Sequence, residues 1–373
     1  MVSKPQSKQK IKNSRRKFIK RTSIGVTAAL ATGLAGCVGG DDEDDADTDN
    51  GDDGVPTLTW AYSSGAELAT PSGWFFQSDY VVDNVMENLG DSYEIDVLGV
   101  QGSPLVISSV GSREADGGVF SYSGAANAIV QETVPSGFSV TSPEVWMGVE
   151  DSFSDLFAVL AGSDIQSIED VEGTNFATNS FGSAIDIAAR AGMVQAGLDP
   201  EVDLNMREVG FGAMQTQLEE GQIDVGSFVQ PIFEGVRDEL DILYDMGDPF
   251  GSYTPLFQAF RNDFIEENPE AVEGFIEDHW LALQWYNDEE NREDVLDSAA
   301  EVTELDTDLL DQIVGTDAGY YYGPDGLRIE PEHIQVGIDG MQDVGYLDSD
   351  VDISNNLDMS YLPDEADQTP TGV

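Results

Sequence analysis

The sequence predicts an α/β fold of two lobes with a ligand cleft between them. Short apolar runs typical of strands alternate with segments of helical spacing from residue 55 to residue 363. This stretch of about 310 residues is long enough for two lobes. Alternating strands and helices favour mainly parallel sheets covered by helices. We assign residues 55–149 and 250–363 to lobe 1 and residues 150–249 to lobe 2.

Lobe 1 begins with a repeated unit of strand, polar turn and helix. The strands are predicted at 57–62, 94–100 and 117–120, and the helices at 74–89, 105–110 and 125–131. After lobe 2 the chain returns with a strand at 256–261. A helix then begins at Pro269, behind the capping residue Asn268. The remainder, to residue 363, is predicted to form helices that pack back on lobe 1.

Lobe 2 opens with the apolar run 156–160 and a short helical loop at 164–173. Its further strands are predicted at 175–177, 205–209, 223–228 and 242–244. Helices are predicted from Ile185 to a stop at Gly197, at 211–220, and after Gln230-Pro231.

The turn at 178–183 joins a strand to a helix, and the sequence leaves two interpretations open. Small residues and the unpaired N–H groups of a first helical turn can hold an anion or a polar head group. Alternatively, Ser180 or Ser183 simply caps the helix. Similar polar turns follow other strands, where open α/β sheets bind ligands. The predicted ligand-binding residues are Tyr62, Ser63, Ser64, Gln101, Ser103, Ser121, Tyr122, Asn179, Ser180, Phe181, Gly182, Ser183 and Gln230.

Residues 1–36 are predicted to be an export signal. The run 14–20 (SRRKFIK) resembles a twin-arginine motif, an apolar stretch follows at 24–34, and 34–37 (LAGC) resembles a lipoprotein processing box. We therefore expect export by the twin-arginine route and lipid attachment at Cys37. This places the protein at the extracytoplasmic face of the cell membrane. A short basic amphipathic helix is the alternative.

Cys37 is the only cysteine, so no disulfide can form within the chain. Residues 37–54 are strongly acidic and are expected to form an extended, disordered tether, because such a run repels itself and cannot bury apolar surface. Residues 364–373 are expected to be a disordered tail.

The charge of the chain is extreme. Beyond residue 36 there are seven arginines, no lysine and 72 acidic residues, which gives a formal net charge of 7 − 72 = −65. Such self-repulsion destabilises a compact fold unless molar salt shortens the Debye length to about 3 Å. We infer an extremely halophilic source of haloarchaeal type. The charge argues against nucleic acid as a partner, since that requires a basic face. We expect a monomer.

Catalytic signatures are sparse. The two histidines, His279 and His333, lie far apart, and no HExxH, GxSxG, CxxC or Walker pattern occurs. The segment 210–212 (GFG) lacks the third glycine of a dinucleotide fingerprint. The tyrosine run 320–322 fits core packing better than a stacking platform for a ligand. We predict no catalytic residue, no metal site and no cofactor.

Short motifs in a defined order carry a family resemblance. They are 163–173 (SDIQSIEDVEG), 196–199 (AGLD), 218–225 (LEEGQIDV), 267–272 (ENPEAV), 344–347 (VGYL) and 358–362 (DMSYL). With them, residues 55–363 resemble the solute-binding proteins of ABC importers, in the branch for nitrate, sulfonates, taurine and pyrimidine precursors. The resemblance implies a periplasmic-binding-protein-like fold with two crossings between the lobes. Thr174 stands where the family often has lysine after glycine.

The predicted function is that of a receptor. It would capture a small organic solute, sulfonate- or taurine-like or pyrimidine-like, by hinge closure and deliver it to ABC permease subunits. The candidate turns contain no arginine, so a neutral or aromatic ligand fits as well as a sulfonate. The alternatives are a TAXI-type receptor of a TRAP transporter, an extracellular enzyme on the same bilobal fold, and a surface lipoprotein that binds no ligand.

Overall fold

Two five-stranded sheets flanked by helices form the body of the protein. The structure is a computed structural model and describes residues 54–65 and 67–373. The predicted signal at 1–36, the lipid-attachment residue Cys37 and the tether up to residue 53 lie outside the described residues.

Strands and helices alternate along most of this part of the chain. Its strands are β1 (Thr57–Ser63), β2 (Glu94–Val100), β3 (Gly117–Ser121), β4 (Phe138–Met147), β5 (Leu156–Leu160), β6 (Asn175–Thr178), β7 (Asn205–Glu208), β8 (Val225–Phe228), β9 (Leu240–Asp245) and β10 (Tyr253–Arg261). Its α-helices are α1 (Pro71–Phe75), α2 (Asp79–Asn84), α3 (Ser103–Gly111), α4 (Tyr122–Gln131), α5 (Ala184–Gln195), α6 (Phe211–Glu219), α7 (Ile232–Val236), α8 (Asn262–Glu267), α9 (Pro269–Asn287), α10 (Arg292–Thr303), α11 (Thr307–Ile313) and α12 (Glu332–Asp343). None of these helices is both long enough and apolar enough to cross a bilayer.

The two sheets share one plan. The first has the order β2-β1-β3-β10-β4 and the second the order β7-β6-β8-β5-β9. In each sheet the first three strands are parallel, and the fourth runs antiparallel to both of its neighbours. The fourth strand, β10 or β5, is the one that the chain enters after passing from the other sheet. We call the parts built around the first and second sheets lobe 1 and lobe 2.

Two crossings connect the lobes and touch each other. The first, residues 148–155, runs from β4 to β5, and the second, residues 246–252, runs from β9 to β10. A Cβ atom added at Gly247 would lie 2.3 Å from the Cα of Gly148, and one added at Gly148 would lie 2.3 Å from the carbonyl oxygen of Gly251. Gly148 also has a φ of 73°, which side chains disfavour. Glycine is therefore required where the crossings pass.

A third segment, residues 318–322, runs beside the first crossing and contacts both lobes. The Trp146 N–H, at the end of β4, donates to the Tyr321 carbonyl at 2.9 Å. The Phe153 N–H, just before β5, donates to the Gly319 carbonyl at 2.8 Å. Residues 320–322 were expected among helices, but here Tyr321 forms an isolated β-bridge to Trp146 and Tyr320 one to Phe153.

Aromatic side chains fill the core of each lobe. In lobe 1, Trp60 of β1 packs against Phe275 of α9 with ring centroids 4.5 Å apart. In lobe 2, Phe157 of β5 packs against Tyr244 of β9, also at 4.5 Å. Interiors of this kind are close-packed and resist deformation. Relative motion of the lobes is therefore expected at the crossings rather than inside the sheets.

The helix predicted at 74–89 is divided into α1 and α2. Ser78, between them, accepts the Val81 N–H on its side-chain oxygen at 3.5 Å, and so starts a new helix. Trp74, Phe75 and Phe76 are consecutive and all fully buried. A long surface helix buries residues along one face only. Three consecutive buried residues do not fit that pattern, so a short buried helix forms instead.

The C-terminal tail was also predicted incorrectly. Residues 364–373 pack on the body of the protein instead of being disordered. Ala366 is fully buried, and its carbonyl accepts the Leu327 N–H at 2.8 Å. The Gln368 carbonyl accepts the Arg328 N–H at 3.1 Å. These backbone hydrogen bonds hold the segment in place.

Candidate ligand-binding site

A cavity of about 440 Å³ lies between the two sheets and is the candidate ligand-binding site. Its wall combines residues of both lobes with residues of the crossings. Lobe 1 and the third segment, residues 318–322, contribute Ser63, Ala69, Thr70, Gly102, Ser103, Pro104, Ile107, Val119, Ser121, Ser123, Gly124, Asn127, Ala128, Gln131, Thr133, Met147, Pro255, Leu256 and Tyr320. The crossings and lobe 2 contribute Asp155, Asn179, Ser180, Phe181, Gly182, Ser183, Ala184, Ile185, Phe211, Val229, Gln230 and Met246.

Three helices begin at this wall because each follows a parallel strand. Helix α3 follows β2, α4 follows β3, and α5 follows β6. Parallel strands of one sheet end at the same edge, so the turns after them converge. Residues in the first turn of all three helices line the cavity. The positive ends of their dipoles therefore contribute to its electrostatic potential.

Serine side chains cap two of these helices. Ser121 accepts the Gly124 N–H at 3.1 Å on α4, and Ser183 accepts the Asp186 N–H at 3.2 Å on α5. Ser183 also donates to Oδ1 of Asn179 at 2.8 Å. Of the two interpretations of the 178–183 turn, capping by Ser183 is therefore observed. The same turn also lines the cavity, so the two interpretations are compatible.

A buried ion pair between Asp186 and Arg190 fixes the turn at residues 178–183. The Asp186 carboxylate accepts the Thr178 hydroxyl at 3.1 Å and the Gly182 N–H at 2.9 Å. Arg190, one helical turn further on, donates its Nε–H to the same carboxylate at 3.0 Å. Both charged side chains are almost completely buried. The turn is thus held in one conformation before any ligand binds, which lowers the ordering cost of binding.

Nine of the predicted ligand-binding residues line the cavity. They are Ser63, Ser103, Ser121, Asn179, Ser180, Phe181, Gly182, Ser183 and Gln230. They come together because the turn after a parallel strand lies at a known edge of the sheet. Their contact with a ligand remains a prediction.

The other four candidates do not line the cavity. Tyr62 and Ser64 flank Ser63 in the chain and point elsewhere, because successive residues of an extended chain face opposite sides. The Ser64 hydroxyl donates to the Val100 carbonyl at 3.0 Å. Gln101 is exposed to solvent. Tyr122 is fully buried and donates its hydroxyl to the Ala184 carbonyl at 2.9 Å, which links lobe 1 to lobe 2.

A polar cluster that the sequence did not reveal lies where the crossings meet the cavity. Asp155, 7% exposed, accepts the Tyr320 hydroxyl on Oδ1 at 2.7 Å. The Gln230 N–H donates to the same hydroxyl at 3.1 Å, and its side-chain amide donates to the Ala318 carbonyl at 2.8 Å. Burial raises the pKa of Asp155 to about 7, although the Tyr320 hydrogen bond lowers it. Burial likewise raises the pKa of Tyr320 well above its usual value.

Among the residues that the structure describes, the lining contains one acidic side chain, Asp155, and no Lys, Arg or His. The arginines of the chain beyond residue 36 are committed elsewhere. Six form ion pairs with Asp or Glu, and Arg207 donates to the side chain of Asn175. The cavity thus offers hydroxyls, amides, one carboxylate and an apolar wall.

Other groups considered in the sequence lie away from this cavity. His279 is fully buried, and burial lowers its pKa to about 3, so it is a neutral core residue. Tyr322 is buried and donates to the Leu68 carbonyl, as core packing of the tyrosine run predicts. Tyr320, by contrast, reaches the cavity wall. Across residues 54–65 and 67–373, no group of three His, Cys, Asp or Glu side chains is placed to hold a metal ion.

Part of the chain matches a known sequence family. A family model described as the NMT1-like family matches residues 155–300, which include β5 to β10 and most of the cavity's lobe 2 wall. No curated protein matches the chain in sequence.

Solved structures share the fold over most of their length. The ligand-binding component of an ABC-type import system from Staphylococcus aureus, solved with zinc bound, is 13% identical with a TM-score of 0.65; the match covers 84% of this chain and 100% of that one. The alkanesulfonate-binding protein SsuA from Xanthomonas axonopodis, bound to MOPS, is 13% identical with a TM-score of 0.63, covering 81% and 97%. A mutant of DszB, solved in complex with biphenyl-2-sulfinic acid, is 14% identical with a TM-score of 0.55, covering 82% and 97%. At these identities the similarity establishes the fold, that of periplasmic binding proteins, as the sequence predicted.

Proposed function

We propose that this protein is the extracytoplasmic solute receptor of an ABC importer. The observation that carries the proposal is the cavity of about 440 Å³, walled by two lobes that are joined by crossings. A small organic molecule in this cavity would touch both lobes at once. Its binding energy would then favour the conformation in which the lobes are closed.

The crossings are suited to hinge closure. Each is a short segment between strands, and they meet at Gly148 and Gly247, where the backbones touch. Hinges of this kind absorb large changes of φ and ψ in a few residues. The closed lobes would present a surface to the permease, and reopening would release the solute.

Export and anchoring are the parts of the proposal that rest on sequence alone. The twin-arginine motif would direct export, and Cys37 would carry the lipid after cleavage. The acidic residues 38–53 would then separate the receptor from the membrane. The absence of lysine beyond residue 36 supports a halophilic setting.

The solute is proposed to be small and organic. Sulfonate- or taurine-like and pyrimidine-like compounds remain the candidates, because hydroxyls and backbone amides of helix starts can bind either. SsuA, which has the same fold, is described as an alkanesulfonate-binding protein. A receptor of a TRAP transporter would have a cavity of the same kind. An enzyme is the second alternative, since DszB has this fold too.

A thermal-shift screen of the mature protein in molar salt tests the proposal. The panel contains sulfonates, nitrate, pyrimidines, amines and amino acids. A ligand that binds only the folded state raises the melting temperature. A hit that is recovered unchanged after prolonged incubation supports a receptor, and its conversion to product would show an enzyme. Co-purification with tagged permease and ATPase subunits separates the ABC from the TRAP assignment.

A further inference from the structure

We propose that the solute carries a protonated nitrogen, an amine or amidine, which binds the carboxylate of Asp155. The inference rests on the proposed receptor function and names the chemical class of its solute. It changes the expectation from an oxyanion to a molecule with a cationic end.

The first support is the charge of the cavity wall. In the described part of the chain, Asp155 is the one acidic side chain of this wall, and no basic side chain lines it. A sulfonate or nitrate placed here would meet a carboxylate without any Arg or Lys to offset the repulsion. Arg and Lys are the side chains that usually bind such anions, Arg often through two parallel hydrogen bonds.

The second support is the incomplete coordination of the carboxylate. Oδ1 accepts the Tyr320 hydroxyl at 2.7 Å. Within residues 54–65 and 67–373, no donor is found for Oδ2, and no Lys, Arg or His approaches the carboxylate within 4 Å. Burying an ionised carboxylate is costly unless it is paired and hydrogen-bonded. A ligand ammonium or amidinium group would complete its coordination.

The protonation behaviour agrees with a carboxylate that lacks its partner. The pKa of Asp155 is raised to about 7; burial is the main cause, the Tyr320 hydrogen bond opposes it, and the nearby negative charge of Asp245 adds to it. A bound cation would favour the ionised form and lower this pKa.

The position of Asp155 would couple cation binding to closure. Asp155 ends the first crossing, Tyr320 lies in the third segment, and Gln230 follows β8 of lobe 2. The starts of α3, α4 and α5 lie elsewhere on the same wall, and their dipoles favour a negatively polarised group. A plain amine and a zwitterion would therefore both contact Asp155 through the protonated nitrogen. They would differ only in the group that faces the helix starts.

The test compares solutes of different charge on the full mature protein in molar KCl. The panel contains amines and amidines, zwitterions such as amino acids and taurine, neutral compounds, and sulfonates or carboxylates without nitrogen. We expect melting-temperature shifts only from compounds with a protonated nitrogen. Among them, a larger shift from zwitterions than from matched amines would show that the helix starts bind the anionic end. The opposite order would identify a plain amine as the solute.

Two variants locate the effect. Asp155→Asn keeps the shape and can still accept the Tyr320 hydroxyl, so it should fold, but should bind the best hit about tenfold or more weakly, as expected for loss of a charged hydrogen bond. Asp164→Asn removes an exposed acid of lobe 2 that does not line the cavity, and should leave affinity within about twofold of wild type. Equal affinity of Asp155→Asn and wild type would overturn the inference.

The outcomes separate this inference from the proposed function. Binding of sulfonates or nitrate alone would refute the cationic solute and leave the receptor in place. If no compound class binds, and mass spectrometry finds no small molecule extracted from protein purified from a haloarchaeal host, both are refuted.

Discussion

Removing one hydroxyl from Tyr122 should weaken solute binding without disturbing either lobe. This side chain of lobe 1 donates to the carbonyl of Ala184 at the start of α5 in lobe 2, at 2.9 Å. A buried hydrogen bond of this kind contributes about 1 kcal/mol net. If the bond forms only when the lobes are closed, Tyr122→Phe destabilises the closed state by that amount. The dissociation constant should then rise about fivefold.

The chain offers a closely matched control in Tyr244. This buried tyrosine also donates its hydroxyl to a backbone carbonyl of α5, that of Ala189, at 3.0 Å. Tyr244 lies on β9, so both partners belong to lobe 2. Tyr244→Phe should lower the melting temperature but leave the affinity for solute unchanged.

Isothermal titration calorimetry in molar salt, with the solute found in the screen, distinguishes the two variants. The phenylalanine ring preserves the packing of residue 122 against Tyr253, whose ring centroid lies 6.0 Å away. Equal affinities of Tyr122→Phe and Tyr244→Phe would show that the contact between Tyr122 and Ala184 does not contribute to closure, and the reasoning would fail.

Three further predictions concern stability and can be checked by thermal or denaturant unfolding in molar salt. Gly247→Ala places a Cβ within 2.3 Å of the other crossing and should lower the free energy of unfolding by about 1–3 kcal/mol. The control Gly235→Ala has open space at its Cβ and should not lower that free energy measurably. The Asp278 carboxylate accepts the backbone N–H groups of residues 87–89 at 2.7–2.9 Å. Asp278→Ala removes this acceptor and should lower the free energy of unfolding by at least about 3 kcal/mol. A decrease below about 1 kcal/mol would contradict this prediction. Burial raises the pKa of Glu144 from 4.5 to about 7, so the folded state retains a proton that the unfolded state has lost. The unfolding free energy of wild type relative to Glu144→Gln should therefore fall by about 3 kcal/mol as pH rises from 4.5 to above 7, and a flat difference would contradict it.

Much of the fold was accessible from local pattern. The bounds of β2 and β5 match the predicted runs, because uninterrupted apolar or alternating residues specify a strand locally. Gly197 adopts a φ of 85° just after α5, the conformation for which glycine is preferred at a helix end. The polar turns were also located correctly, since topology alone determines at which edge of a sheet they lie.

What the sequence did not reveal depends on contacts between distant segments. Strand β4 was not predicted, because it contains Ser142 and Glu144, polar residues that are nonetheless buried. Both bond to Gln258 of β10, more than 110 positions away in the sequence. Asp155 is one of 72 acidic residues, and nothing local distinguishes it. Its burial and its contact with Tyr320, 165 positions further on, exist only in the folded chain.

The strand order also constrains the sequence of events during synthesis. All five strands of lobe 2 lie between residues 156 and 245, so its sheet can be completed as soon as that stretch has left the ribosome. Lobe 1 cannot, because β10 lies between β3 and β4 and is made last. Until residue 261 leaves the ribosome, β4 has no neighbour in its sheet, and the edge of β3 is unpaired and able to bind a strand of another chain. Lobe 2 can therefore finish folding before lobe 1, although lobe 1 begins first in the chain. Until β10 is available, the unpaired strand edges of lobe 1 must not pair with other strands.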